Sequence, residues 1–257
     1  MPDRARVRAG TRGCDDISCA TSRASLVLVG ARTRLKRAAR AKVLGSGAVR
    51  RIPFGLGRGL RLEADPQTTL HVYLGTAEIE IAGHLRGLAR PGCVCFDVGS
   101  NNGYYAMALT RLTGADAVAF DFAPEAIQRI RRNLARNGEL GASVRLVEAY
   151  VTNVVDPAQH ASTLDRLCEE LATKPGLMKI DVEGAELEVL RGAERLLAEQ
   201  RPHVVVETHG REVEAACIEL LQRHGYEPVV RQQRRWFREG RPNPHNRWMI
   251  AAGRDAP

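Results

Sequence analysis

Several apolar runs in this sequence end in side chains that handle protons or cations. They are Asp97 in CVCFDVGSNNG, Asp121 in AVAFDF, Asp181 and Glu183 in MKIDVEGAE, and Glu207 and His209 in VVVETHG. Carboxylates accept hydrogen bonds from hydroxyls and amines, and histidine titrates near neutral pH, so the set suits ligand binding coupled to proton removal. His209 is the first choice as general base. Glu207, two residues earlier, shares its side of an extended segment and would polarise it; the competing reading is a surface histidine at a helix start. Asp181 is placed to orient an acceptor or an amino group. Glu183 serves either the site or the N-terminus of the following helix, where an acid is favoured by the dipole. Glu78 and His84 are upstream candidates for the acceptor side, and His203, at the far end of its strand, is structural. Metal-assisted chemistry would want more clustered acids than Asp181 with Glu183, so no metal is expected.

The turn Gly99-Ser100-Asn101-Asn102-Gly103 follows Asp97 directly. Its glycines permit a tight turn and close backbone approach, and the helix that follows offers free N–H groups. Asp121 closes the next strand, where an acid accepts ribose hydroxyls. The spacing is GxxxG, not the GxGxxG of dinucleotide sites. An acid before the loop would repel a phosphate and favour a cationic or amino group. A nucleoside with an ammonium and no phosphate is S-adenosylmethionine, which makes it the expected cofactor; the competing reading is a glycine turn that only packs helix on strand.

These residues need a scaffold that lines up strand ends. Apolar runs at 93–98, 117–122, 143–150, 176–182 and 203–208 alternate with amphipathic segments at 104–112, 124–137, 163–171, 185–197 and 213–224. Asn137-Gly138 reads as a helix C-cap. Buried strands alternating with helices imply an α/β fold with a mostly parallel sheet covered on both faces. Two closing strands, 226–230 and 247–252, have no helix between them and suggest an antiparallel hairpin at one edge. Upstream, residues 51–62 read as a glycine-rich hairpin, and the segment from His71 to Gly92 as a short strand and a helix.

Charge divides the chain. Residues 1–61 hold 13 Arg and 2 Lys against 3 acids, while the remainder is mildly acidic. Residues 1–50 are therefore expected to be a basic, partly disordered arm with a helix over 26–44, residues 51–92 a lead-in, and 93–257 the catalytic domain. The arm has no aromatic residue to stack on bases, so no specific nucleic-acid partner is expected. No run is long enough to span a membrane. The six cysteines show no zinc spacing and read as small buried hydrophobes, consistent with a cytoplasmic protein.

FDVGSNNGYYA, AFDFAPEAIQRIRRNLARNG, STLDRL, MKIDVEGAELEVLRGAERLL and PHVVVETHG, in this order, resemble the FkbM-type methyltransferases, over roughly 74–252. That resemblance implies a class I, Rossmann-like methyltransferase with a seven-stranded sheet and an antiparallel edge strand. It further implies an S-adenosylmethionine-dependent O-methyltransferase acting on a small-molecule or carbohydrate hydroxyl. Cofactor contacts would come from Asp97, Gly99, Ser100, Asn101 and Gly103 in the turn, Asp121 and Phe122 at the second strand, Glu148 and Ala149 at the third, and Asp181 at the fourth. Two features depart from the family: Asp121-Phe122 stands where Glu-Pro is usual, and only twelve residues separate Tyr150 from Thr163, where relatives carry an extra pair of strands. The competing readings are a degenerate cofactor-binding module and another nucleotide-binding Rossmann enzyme. Against the latter, no tyrosine has a lysine four residues on.

Overall fold

The computed structural model describes residues 48–64, 69–234 and 245–253. The expected basic arm falls almost wholly on residues 1–47, outside the described residues, as does the helix expected over 26–44. The central element is a seven-stranded sheet of β3 (Cys95–Val98), β4 (Ala117–Asp121), β5 (Val144–Glu148), β8 (Leu177–Ile180), β9 (His203–Thr208), β10 (Val229–Gln232) and β11 (Arg247–Ala251), in the order β10-β11-β9-β8-β3-β4-β5. From β9 through β8, β3 and β4 to β5 the pairing is parallel, and β11 is antiparallel to both its neighbours. The mixed α/β class expected from the alternation is present. The antiparallel strand lies one in from the edge, because β10 pairs on its outer side.

Strand alternation sorts the core into two layers. Phe96, Val98, Phe120, Met178, Ile180, Val204 and Val206 face the side covered by α6 (Leu164–Leu171), α7 (Glu186–Arg191), α8 (Glu194–Glu199) and α9 (Arg211–Arg223). The opposite face packs Cys95, Ala117, Ala119, Leu177 and Val205 against α3 (Tyr104–Thr113) and the lead-in residues Ile52, Leu60, Leu62, Ile81 and Leu85. On that second face the period-two positions also carry Asp97 and Lys179, which sit directly opposite one another across β3 and β8.

The lead-in is a hairpin, β1 (Val49–Arg51) with β2 (Arg61–Glu63), followed by α1 (Thr69–Tyr73) and α2 (Ile79–Leu88). Residues 71–73, expected as a strand, are helical: away from the sheet, the backbone pairs locally, with Thr76 and Ala77 N–H donating to the His71 carbonyl. Asn137-Gly138 is likewise no C-cap. Helix α4 (Pro124–Ala135) stops earlier, Asn137 pairs with both backbone groups of Arg61, and Gly138, at φ 55°, opens the single turn α5 (Gly138–Ala142). The segment expected as one helix over 185–197 divides into α7 and α8. The short segment after Tyr150 does form a strand pair, two residues each, β6 (Tyr150–Val151) with β7 (Ala161–Ser162).

Candidate active site

Gly99 sits where β3 and β8 part company in chain order, at the carboxyl ends of the strands. A Cβ there would lie 1.8 Å from the Asp181 carbonyl oxygen, so only glycine lets the two strand tips touch, and its φ of 81° has the same requirement. Asp181 N–H donates to the Val98 carbonyl and closes this contact. Asn101 and Glu183, on the loops flanking the crevice, both hold left-handed backbone (φ 52° and 53°). Strain of that kind concentrates at ligand sites.

Beyond these tips lies a cavity of about 710 Å³, lined among others by Gly99, Asn101, Asp121, Phe122, Arg129, Ala149, Tyr150, Val151, Asp181 and Glu183. Asp121 bridges strand tip and loops: one carboxylate oxygen accepts from Asn101 N–H at 2.8 Å, the other from Phe122 and Ala123 N–H at 2.8 and 3.0 Å. A carboxylate has about four acceptor positions, which leaves capacity for a ligand hydroxyl. Phe122, 62% exposed, meets the Tyr150 ring edge-on at 4.9 Å, so two aromatic rings flank the mouth. The acids Asp121, Glu125, Asp181 and Glu183 outnumber the Arg129 guanidinium around the cavity, and Arg129 donates to the Asn101 side chain.

Four of the expected cofactor contacts lie elsewhere. Asp97 is buried behind the turn, where one oxygen accepts from Ser100 Oγ and Ala106 N–H at 2.9 and 3.0 Å. Gly103, the N-cap of α3, has no side chain to offer, so Asp97 caps the helix from the preceding strand. Burial pushes the Asp97 carboxyl up to about 6, against the lowering pull of Lys179 and its hydrogen bonds. Ser100 is held inside with it, and Gly103 packs against Ile130 and Met107. Glu148 points outward and pairs with Arg131 on the surface. Asp97 thus faces the helix end, and the acids that face the cavity are Asp121, Glu125, Asp181 and Glu183.

The other half of the site surrounds His209, whose side chain is only 6% exposed. Its Nδ1 lies 2.7 Å from Glu186 Oε1, while Nε2 is 3.4, 3.6 and 3.7 Å from oxygens of Glu183, Glu207 and Asp181. Burial by itself lowers the ring's proton affinity; the Glu186 hydrogen bond and the charges of Asp181, Glu186 and Glu183 outweigh it, and the net shift is upward. Glu207, expected from its spacing to polarise the ring, has an oxygen 3.6 Å from Nε2 and is also tied to β11. Its two oxygens accept from Asn246 Nδ2 and Trp248 Nε1, at 3.0 and 3.2 Å, because β11 lies against β9.

Sequence reasoning also missed Lys179. It is buried, donates to Asp181 at 3.0 Å and sits 4.4 Å from the Tyr105 ring centroid. Burial lowers its proton affinity, and Asp181, Glu78 and Asp97 more than restore it. The signal was visible: a lysine inside an apolar strand, in phase with Asp181. Glu78 reaches the site from the lead-in, whereas His84 accepts from Arg231 at an exposed contact. His203 accepts from Gly253 N–H at the opposite end of the sheet. Among the described residues, two sets, Asp181–Glu183–His209 and Glu78–Asp181–Glu207, bring side-chain N and O atoms within 4.8 Å of one another.

Residues 149–228 match the family model of the methyltransferase FkbM domain. The matched segment is similar to that domain and makes up less than half of the chain. The match contains Asp181, Glu183, Glu186, Glu207 and His209, whereas the glycine turn and Asp121 precede it. In fold, the chain is similar to the FkbM methyltransferase from Methylobacillus flagellatus KT (16% identity, 73% of this chain, 55% of that one, TM-score 0.51). It is also similar to the METTL16 methyltransferase domain (16%, 75% and 73%, TM-score 0.53). A third similar structure is an S-adenosylmethionine-dependent O-methyltransferase from Thermotoga maritima (13%, 70% and 66%, TM-score 0.50). At these identities the likeness establishes the class I methyltransferase fold. A curated relative, AMB antimetabolite synthetase AmbE of Pseudomonas aeruginosa, is 32% identical over 117 residues; the match takes in 40% of this chain and spans 6% of that protein's length.

Proposed function

We propose that the chain is an FkbM-type, S-adenosylmethionine-dependent O-methyltransferase whose acceptor is a hydroxyl of a small molecule or carbohydrate. The observation that carries the reading is the cavity over Gly99: acid-lined, walled by Phe122 and Tyr150, and open at the strand tips where Asp121 keeps acceptor capacity. Such a pocket fits a cationic nucleoside and disfavours a pyrophosphate. Asp121 would hold the ribose, Phe122 and Tyr150 the purine, and Asp181 the amino group. When bound there, S-adenosylmethionine supplies an electrophilic methyl group.

The chain's own contribution is to bind, orient and take a proton. His209 Nε2, beside the lining residues Asp181 and Glu183, removes the acceptor hydroxyl's proton. Asp181, itself fixed by Lys179, orients the acceptor. We place the protein in the cytoplasm. Cys93, Cys95, Cys168 and Cys217 are free thiols, which suits a reducing compartment, and among the described residues no helix is long and apolar enough to cross a membrane. The domain division is proposed as an arm over 1–50, a lead-in over 51–92 and the methyltransferase domain over 93–257.

Thermal-shift titrations with S-adenosylmethionine, S-adenosylhomocysteine and NAD, followed by methyl transfer to a panel of hydroxylated acceptors, test the reading. A ligand bound only by the native state raises apparent stability. The two sulfur nucleosides should stabilise, and Asp121→Ala should weaken them by about 1–3 kcal/mol through lost hydrogen bonds to a charged group. Stabilisation by NAD alone would end the proposal.

A further inference from the structure

We propose that Glu186 is the positioning residue for His209: its Oε1 takes the Nδ1 proton of the ring, fixes a single tautomer, and leaves the lone pair of Nε2 facing Asp181 and Glu183 at the cavity. This deepens the reading of His209 as the base and rests on it. An ionised carboxylate only accepts hydrogen bonds, so at 2.7 Å from Glu186 the Nδ1 atom must carry the proton. Among the described residues, the other carboxylates facing the ring lie farther away, at 3.4 to 3.7 Å. Asp181 receives Lys179, Glu207 receives Asn246 and Trp248, and Glu183 is largely solvated. From α9, Cys217 faces Glu186 as a neutral thiol, pushed up to about 12 by burial.

Two further observations separate this role from simple helix capping. The same Oε1 accepts Gly184 N–H at 2.8 Å, so the ring's orientation is tied to the loop that lines the cavity. Glu186 is completely buried, and among the described residues its Oε2 has no hydrogen-bond partner. Burying a carboxylate is costly, and a glutamine would accept from Gly184 N–H without the cost of burying a charge. What a glutamine lacks is the charge that stabilises an imidazolium, the form His209 takes once it has accepted a proton.

The test is 15N-edited NMR of the full chain, with the His209 resonances assigned by their loss in His209→Ala. In the parent protein the neutral ring should carry its proton on Nδ1. Glu186→Gln should make the ring titrate at lower pH and reduce kcat roughly tenfold or more, by analogy with other carboxylate-oriented histidines. It should leave the thermal midpoint and S-adenosylhomocysteine affinity near parental values, because the Gly184 contact survives. Glu186→Ala should populate both tautomers. A parent ring protonated on Nε2, or an unchanged titration in Glu186→Gln, overturns the proposal. Because the NMR readout needs no turnover, a fully active His209→Ala variant would retire the base assignment while the Glu186–His209 result is judged separately.

Discussion

At the scale of single residues, electrostatics divides the carboxylates by what each one faces. Asp97 meets the helix end and buried Lys179, Asp121 meets three backbone N–H groups and the cavity, and Glu207 meets β11. Chemically similar strand-end acids thus take on helix capping, loop bracing beside the cavity and strand locking. In the proposed mechanism, His209 is the residue whose proton affinity bears most on rate. Its ring is shifted upward and must be neutral to act as a base, so kcat/KM should rise with pH along a limb centred above the ordinary histidine value of about 6.5. A pH-rate profile with its acid limb below that value would contradict the assignment. Asp97 gives a stability counterpart. Its folded pKa, about 6, lies above the ordinary value near 3.9, so the native state binds the proton more tightly and stability falls as pH rises between the two. Thermal midpoints measured across that window should therefore show less gain on acidification in Asp97→Asn than in the parent.

At the scale of elements, the glycine turn between β3 and α3 is held in place by a different helix, α4. Asn133 of α4, fully buried, accepts from Glu63 N–H with its carbonyl and donates to the Asn102 carbonyl with its amide, each at 2.9 Å. One turn along, Asn137 pairs with both backbone groups of Arg61. The i,i+4 spacing of a helix matches the two-residue spacing of outward-facing groups on β2, so α4 completes the hairpin's open edge. Asn133→Ala leaves a buried N–H and a turn carbonyl without partners. It should cost about 1–3 kcal/mol in urea unfolding and weaken nucleoside binding as the turn loosens. An unaltered binding constant would show that the turn holds its shape without α4. This arrangement was hidden in the sequence, where Asn137-Gly138 reads as a helix C-cap.

At the scale of the molecule, the lead-in and the sheet share one apolar layer. Ile52, Leu60, Leu62, Ile81 and Leu85 pack with Cys95, Ala119, Leu177, Val205 and Trp248, and Gly57 N–H donates to the Tyr104 hydroxyl across the boundary at 3.1 Å. The same packing carries Glu78 to the strand tips beside Asp181 and Glu207. Such a core should unfold as a unit. Leu85→Ala, a fully buried leucine, should lower stability by about 2–5 kcal/mol and shift the far- and near-ultraviolet circular dichroism transitions together. A separate early transition confined to part of the signal would mean that the lead-in folds on its own.

The sequence by itself determined the alternation of strands and helices, the glycine-permitted turn and the carboxylates at strand ends, because apolar periodicity and backbone freedom are local properties. Only the tertiary structure decided which way those carboxylates face. It turned Asp97 inward to cap a helix, gave Glu207 to Asn246 and Trp248, and brought Glu186, 23 residues away in the chain, to the ring of His209. The reason is physical: a buried charge is assigned to whichever donor the packed layers bring within about 3 Å, and that choice is made by strand order and helix docking.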